Sequence, residues 1–142
     1  MNDSKLRYRG YIASRPINGN HIPHHIQNLV IRDYASRLGV QYLLSATEMS
    51  PDNCFIVLND VMDSLDDLGG VIMYSLFMLP ADHDQRFPIY ERFLETGKTL
   101  HAAVENISIN NKCDIRRIEE LFVLTDVLQR CLPSMELKEW LN

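Results

Sequence analysis

The sequence predicts an α/β protein built on an open parallel sheet of four strands, in the order 2-1-3-4, with helices on both faces. Two observations lead to this prediction. Short β-forming segments alternate four times with segments of helical periodicity, and the third β-forming segment is apolar on both of its faces. Right-handed crossovers then make neighbouring strands parallel. The 142 residues fit a single domain, 1–142, of which 134–142 is a C-terminal tail.

The first strand and the first helix are predicted over the N-terminal part of the chain. Residues 6–14 are rich in aromatic and β-branched side chains and stop at a turn-forming stretch, 15–20. Pro23 then stands where a helix begins and Gly39 where it ends. Proline fits the first turn of a helix, and glycine fits the left-handed position that follows the last one.

The second strand is predicted at 40–46, and the helix that follows it begins at Ser50 and Pro51. Serine is a favoured N-cap residue, and proline is common at the first helical position. Two glycines at 69–70 break that helix. The third strand, 71–77, follows directly.

The C-terminal half repeats the pattern. Asp82 caps a third helix that ends at Gly97, and Pro88 within it must either kink the helix or mark its true start. A fourth strand is predicted at 100–105 and a last helix from about Asp114.

Composition excludes several classes of protein. Lys and Arg number 14 against 19 for Asp and Glu, and the net charge of −5 argues against nucleic-acid binding. The three cysteines are too few and too scattered for a disulfide framework or a zinc ribbon. The longest apolar run, 71–80, is too short to cross a membrane. We expect a cytoplasmic protein without a membrane partner.

Polar side chains follow the predicted strands at their carboxyl ends, where ligands bind in open parallel sheets. These residues are Ser14, Arg15, Asn18, His21, His24, His25, Thr47, Glu48, Ser75, Glu105 and Asn106. An arginine suits phosphate or carboxylate, whereas histidine and glutamate move protons or bind sugar hydroxyls. The sequence therefore predicts a site for a small anionic or polyhydroxylated ligand.

Eight of these eleven residues receive a predicted role. Catalysis is assigned to His21 and Glu48 as proton carriers and to Ser14. Substrate binding is assigned to five residues: Arg15, Asn18, Thr47, Ser75 and Glu105. The histidine spacing matches no zinc signature and no glycine-rich phosphate loop follows the first strand, so neither metal nor cofactor is expected.

Structural alternatives remain open for the same residues. Glu48 can support the N-terminus of the next helix, and Ser75 can be a satisfied core hydroxyl. The histidines His21, His24 and His25 flank a helix start, where surface histidines are ordinary.

Residues 11–14 (YIAS), Gln27 and residues 34–39 (YASRLG) resemble the opening of the serine recombinase catalytic domain. In that family the first strand ends at a nucleophilic serine, which the resemblance places at Ser14. The arginines of the family after its third strand are missing, since residues 74–79 read YSLFML. The arginine just ahead of the serine is missing too. The resemblance implies a resolvase-like or flavodoxin-like three-layer sandwich. Because these arginines are missing, we do not expect strand exchange.

A second resemblance covers about residues 9–125. It rests on these segments: RGYI (9–12), SRP (14–16), QNLVIRDY (27–34), LSATE (44–48), YSLF (74–77), LP (79–80), and Leu100 and His101 with Glu105. They resemble the sporadic carbohydrate cluster proteins, which are encoded in bacterial gene clusters for surface-carbohydrate biosynthesis. The resemblance implies a pathway rather than a reaction.

Three functions follow from these observations. The first is a protein of surface-carbohydrate biosynthesis that binds, and as an enzyme isomerises, epimerises or dehydrates, a phosphorylated or nucleotide-linked sugar without a cofactor. The second is a non-catalytic subunit or scaffold for another enzyme of the pathway. The third is a degenerate recombinase-like domain that binds nucleic acid, which the charge opposes.

The last helix and the tail also predict self-association. Together they present a broader apolar face than one sheet face needs, formed by Ile118, Leu121, Phe122, Leu124, Leu128, Trp140 and Leu141 and including Thr125. We expect a homodimer, the alternative being a tail that folds back over the helix within one chain.

Overall fold

The computed structural model describes residues 7–49 and 54–131, except the side chain of Cys131. The chain divides by its internal contacts into two compact units, 1–111 and 112–142. The first contains the sheet and three helices, and the described part of the second is one helix. The predicted tail, 134–142, lies outside the described residues, and the single-domain assignment stays a prediction.

One sheet organises the first unit. Its described strands are β1 (Arg7–Ala13), β2 (Gln41–Glu48), β3 (Gly70–Met73), β4 (Thr99–Ala102) and β5 (Ile107–Ile109), in the order β2-β1-β3-β4-β5. Strands β1 to β4 are parallel to one another, and β5 runs antiparallel to β4. The order predicted for the first four strands is confirmed. The α/β class is confirmed with it.

The predicted count of four strands is wrong. The segment predicted as one strand, 100–105, is instead the end of β4 followed by a turn, which leads into β5. Asn106 adopts φ 55° in this turn, a left-handed conformation that asparagine tolerates better than most residues. The strand β5 has only three residues, too few to show an alternating pattern.

Three helices pack on the sheet: α1 (His24–Leu38), α2 (Ile56–Asp63) and α3 (His83–Thr96). Helix α1 contacts β1, β2 and β3, whereas α2 contacts β2 and α3 contacts β4. One core cluster joins Tyr8 and Ile12 of β1 to Ile31 and Tyr34 of α1. Because side chains alternate along a strand, Tyr11 faces the other side of the sheet.

The helix ends follow the predicted chemistry. Gly39 and Gly97 end α1 and α3 in the left-handed conformation, and the Asp82 carboxylate accepts a hydrogen bond from the Asp84 amide. Pro88 lies inside α3 and does not mark its start. The predicted start of α2 at Ser50 and Pro51 falls outside the described residues, and the described helix begins only at Ile56.

A bulge interrupts the pairing of β2 with β1. Arg9 pairs with Leu43 but Tyr11 pairs with Ala46, so β2 carries one extra residue opposite Gly10. The Ser45 amide donates to the Tyr42 hydroxyl over 3.1 Å, and the Arg9 guanidinium donates to the Leu44 carbonyl over 2.9 Å. The extra residue reverses the side-chain parity of β2. The bulge therefore decides which face of the sheet Glu48 occupies.

A buried polar chain crosses the core beneath α1. The Tyr34 hydroxyl is 2.8 Å from Nδ1 of His101, and Nε2 of the same ring is 3.1 Å from the Thr99 hydroxyl. Thr99 in turn bonds the Tyr8 hydroxyl at 2.8 Å. Burial lowers the pKa of His101 to about 4. Its imidazole is therefore neutral at physiological pH and keeps both hydrogen bonds.

The helix of the second unit, α4 (Lys112–Cys131), begins two residues before the predicted position. Asp114 lies in its first turn and Arg130 in its last, as the helix dipole favours. Four apolar side chains of α4 are exposed: Val123, Leu124, Val127 and Leu128. No helix within residues 7–49 and 54–131 is long and apolar enough to span a membrane.

Candidate active site

A serine and a histidine meet at the carboxyl end of β1. Ser14 follows the last residue of the strand, and His24 is the first residue of α1. The Ser14 Oγ lies 2.9 Å from His24 Nε2, and both side chains are half-buried. A hydroxyl within hydrogen-bond distance of an imidazole is the arrangement of an activated nucleophile and its base.

Gln27 fixes the backbone on both sides of this pair. Its side chain is fully buried one turn after His24, and its Oε1 accepts from the Ala13 amide over 3.2 Å. Its Nε2 donates to the carbonyls of Ala13 and Ile22, over 2.9 and 2.8 Å. Gln27 thus binds both backbone groups of the residue before Ser14. The first turn of α1 is thereby fixed against the strand end.

The loop between Ser14 and His24 is closed by a tight turn. Ile17 and Asn20 exchange backbone hydrogen bonds over 2.8 and 3.0 Å. The two central residues, Asn18 and Gly19, have φ values of 50° and 82°. Positive φ at both positions is the hairpin geometry for which the Asn-Gly pair is favoured. Turn chemistry thus accounts for Asn18, whose predicted contact with substrate stays a prediction.

Arg15 turns inward from the same strand end. Its guanidinium donates to the Tyr11 hydroxyl over 3.0 Å, to the Met78 carbonyl over 2.5 Å and to the Cys54 carbonyl over 3.3 Å. The guanidinium carbon also lies 4.4 Å from the centre of the Phe55 ring. Arg15 is only 7% exposed. These contacts join three connecting segments, and the predicted contact of Arg15 with an anionic ligand stays a prediction.

Glu48 ends β2 next to this arginine and is 2% exposed. Its Oε1 accepts from the Tyr11 hydroxyl over 2.9 Å and from the Leu58 amide over 3.3 Å. Its Oε2 accepts from the Val57 amide over 3.0 Å. Glu48 thereby binds the free amides in the first turn of α2, the alternative that the sequence analysis left open. Both carboxylate oxygens are engaged by structural donors, and the catalytic role of Glu48 stays a prediction.

Tyr11 joins the two buried charges. Its hydroxyl accepts from Arg15 and donates to Glu48. Burial raises the pKa of Tyr11 well above the ordinary value for a phenol, and the Arg15 charge opposes that shift. Tyr11 therefore stays protonated and keeps its donor to Glu48.

Ser75 and Glu105 form a second pair at the ends of β3 and β4. The Ser75 hydroxyl donates to Glu105 Oε2 over 2.8 Å, and the Leu76 amide donates to Oε1 over 2.8 Å. Ser75 also accepts from the Phe77 amide over 3.2 Å and so caps the short 3₁₀ helix Leu76–Met78. Ser75 is buried and satisfied, as its structural alternative expected.

Three of the predicted residues make no side-chain hydrogen bond with the pairs described above. Thr47 is half-buried in β2 beside Ile12, and His21 and His25 are exposed. None of the three side chains bonds another described residue. The histidine that Ser14 contacts is His24, and not His21. Within residues 7–49 and 54–131 no three His, Cys, Asp or Glu side chains converge on a metal position.

Sequence reasoning named Ser14 and His24 but did not pair them, and it gave Gln27 and Tyr11 no role in the site. One signal for the pairing was present. Pro23 sets the start of α1, so the next residue must enter the helix beside the strand end. Nothing in the sequence showed that Gln27 would turn back to the backbone of Ala13.

Comparison with known proteins supports the fold. The N-terminal catalytic domain of TP901-1 integrase superposes with a TM-score of 0.60 at 15% identity, over 87% of this chain and 98% of that domain. The fold of this chain is therefore resolvase-like, as the first resemblance implied. No family model matches the sequence, and no curated protein matches it. The resemblance to the sporadic carbohydrate cluster proteins finds no support in these comparisons.

Proposed function

We propose that this chain is an enzyme that transfers a phosphoryl group of a phosphorylated or nucleotide-linked sugar, with Ser14 as nucleophile and His24 as general base. The observation that carries the proposal is the 2.9 Å contact between Ser14 Oγ and His24 Nε2 at the end of β1. The recombinase resemblance supports it independently, because it places a nucleophilic serine at the same position. The sugar comes from the second resemblance and from the expected role in surface-carbohydrate biosynthesis.

The reaction follows from this geometry. Ser14 Oγ attacks phosphorus while Nε2 of His24 takes the hydroxyl proton, and that proton then passes to the departing oxygen. The result is a phosphoserine when the substrate is a sugar phosphate, and a phosphodiester of Ser14 when it is a nucleotide sugar; water or an acceptor hydroxyl resolves either by the reverse steps. No side chain of the described residues caps α1, and the Ile26 amide donates to the Pro23 carbonyl, so the His24 and His25 amides are the ones left to support negative charge at this helix end. The isomerisation, epimerisation and dehydration expected from the sequence fit less well, because the carboxylate assigned to proton transfer is engaged by α2.

A fluorophosphonate probe tests the nucleophile without knowledge of the substrate. We expect wild type to gain one adduct at Ser14, detected by intact mass and peptide mapping, and Ser14→Ala to gain none. His24→Asn lowers the labelling rate roughly 100-fold, within the usual contribution of a general base.

His21→Asn is the matched control, since His21 is exposed and bonds no described residue. Its labelling rate stays at the wild-type value. Equal rates in His24→Asn and wild type, or labelling elsewhere than at Ser14, would refute the proposal. Release of phosphate from a panel of sugar phosphates, or of a nucleoside phosphate from a panel of nucleotide sugars, then identifies the substrate.

A second function, cleavage of nucleic acid, is favoured by one observation, the fold shared with an integrase catalytic domain. The net charge of −5 opposes it. The turn after β3 also carries leucine, phenylalanine and methionine where the recombinase resemblance requires arginines. We therefore rank it below sugar chemistry.

A further inference from the structure

A groove lies between α2 and α3, apart from the Ser14–His24 pair. Its volume is about 500 Å³, within the range of small-molecule sites. The apolar part of its lining is formed by Phe55, Met62, Pro80, Pro88 and Ile89. Arg15 stacks on the Phe55 ring, so the groove lies next to the buried arginine.

The polar part of the lining consists mainly of acceptors. Asn59, Gln85, Glu91 and Glu95 are exposed, and their side chains make no hydrogen bond or ion pair with any described residue. Arg92 also lines the groove, but its guanidinium donates to the Met62 carbonyl over 2.9 Å and to the Asp63 carboxylate over 3.3 Å. The charge left at the groove is therefore negative.

The chemistry of this lining selects its ligand. A carboxylate accepts hydrogen bonds and attracts cations, and the two amides accept or donate. The apolar side chains of the lining can pack against the flat C–H face of a ligand ring. We propose that the groove binds a small cationic polyol, such as an amino sugar with a protonated amine.

The charge distribution disfavours two other ligands. A sugar phosphate would bring its negative charge against Glu91 and Glu95, and like charges repel. A helical or extended peptide needs a longer groove than one of about 500 Å³. The inference does not rest on the reaction proposed for Ser14, because the groove and the serine share no residue.

Titration of the ¹⁵N-labelled full chain with glucosamine, glucose and glucose 6-phosphate tests the proposal by amide chemical shifts. We expect shifts at Asn59, Gln85 and Glu91, with affinity in the order glucosamine, glucose, glucose 6-phosphate. The absence of shifts in the groove with all three probes would overturn the proposal. Tighter binding of the phosphate would overturn it as well.

Two pairs of substitutions separate the groove from overall charge. Glu91→Gln with Glu95→Gln removes two charges from the lining, and Asp66→Asn with Asp67→Asn removes two exposed charges that do not line the groove. We expect the first pair to weaken glucosamine binding about tenfold, as two surface ion pairs imply, and the second pair to leave it unchanged.

Equal affinities in the two pairs would refute the role of the groove. Ser14→Ala should bind glucosamine like wild type, so a failure of the proposed reaction leaves this test intact.

Discussion

Replacement of Arg15 by alanine tests whether this arginine stabilises the fold or is available to bind a ligand. The guanidinium makes three hydrogen bonds at 7% exposure and stacks on Phe55. Leaving a buried hydrogen-bond acceptor without its donor costs about 1–3 kcal/mol of unfolding free energy. Here the loss leaves the Tyr11 hydroxyl and the Cys54 and Met78 carbonyls without their donor, which we expect to cost about 3–5 kcal/mol in total. That loss is a large part of the total free energy of unfolding of a typical domain, which is about 5–15 kcal/mol.

Urea unfolding measures this loss from the midpoint and the slope. Arg37→Ala is the matched control, because Arg37 is an exposed arginine paired with Asp33 four residues away. Exposed pairs of this kind contribute below about 1 kcal/mol. Tyr11→Phe combined with Arg15→Ala should show clear non-additivity, since both act on the same hydroxyl.

A loss below about 1 kcal/mol for Arg15→Ala would refute this reasoning, since an exposed arginine loses no more. It would mean that the guanidinium is solvated in the folded protein. Binding of an anionic sugar would then again be the expected role of Arg15.

Three further predictions concern the core, the bulge and assembly. Burial lowers the pKa of His101 from 6.5 to about 4, so the unfolded chain binds a proton between these values that the folded chain does not. The contribution of His101 to the free energy of unfolding is complete above pH 6.5 and falls by about 3 kcal/mol as the pH drops to 4. Urea unfolding at a series of pH values should therefore show a weaker pH dependence in His101→Gln than in wild type. Gly10→Ala places a methyl group against Ser45 Oγ and 3.0 Å from Tyr42, and should cost about 1–3 kcal/mol in urea unfolding; an unchanged midpoint would contradict the described bulge. Light scattering at micromolar concentration should give a homodimer that Leu124→Glu dissociates, since Leu124 is 52% exposed on α4; a wild-type particle of 16.5 kDa would rule the dimer out.

Local signals in the sequence predicted much of the fold. Gly39, Asp82 and Gly97 have chemistry that specifies a helix end, and the structure uses each one there. The strand β5 and the bulge at Ser45 were not predictable, because each depends on a partner strand rather than on its own residues.

The candidate site was predictable only as a location. The carboxyl ends of the strands do bring Ser14, Glu48 and Ser75 to one edge of the sheet. Neighbouring backbone amides decide which of these side chains caps a helix and which stays available to a ligand. The Val57 and Leu58 amides engage Glu48, and no residue type in the sequence announces that.

The bulge in β2 has a further consequence for the behaviour of the protein in concentrated solution. Among the described strands, β2 is one of the two outer ones, and an outer strand is a template on which a second molecule can add. An incoming strand needs evenly spaced backbone groups, whereas β2 changes register midway and its Leu44 carbonyl is already bound by Arg9. The irregularity that orients Glu48 therefore also protects this edge from aggregation.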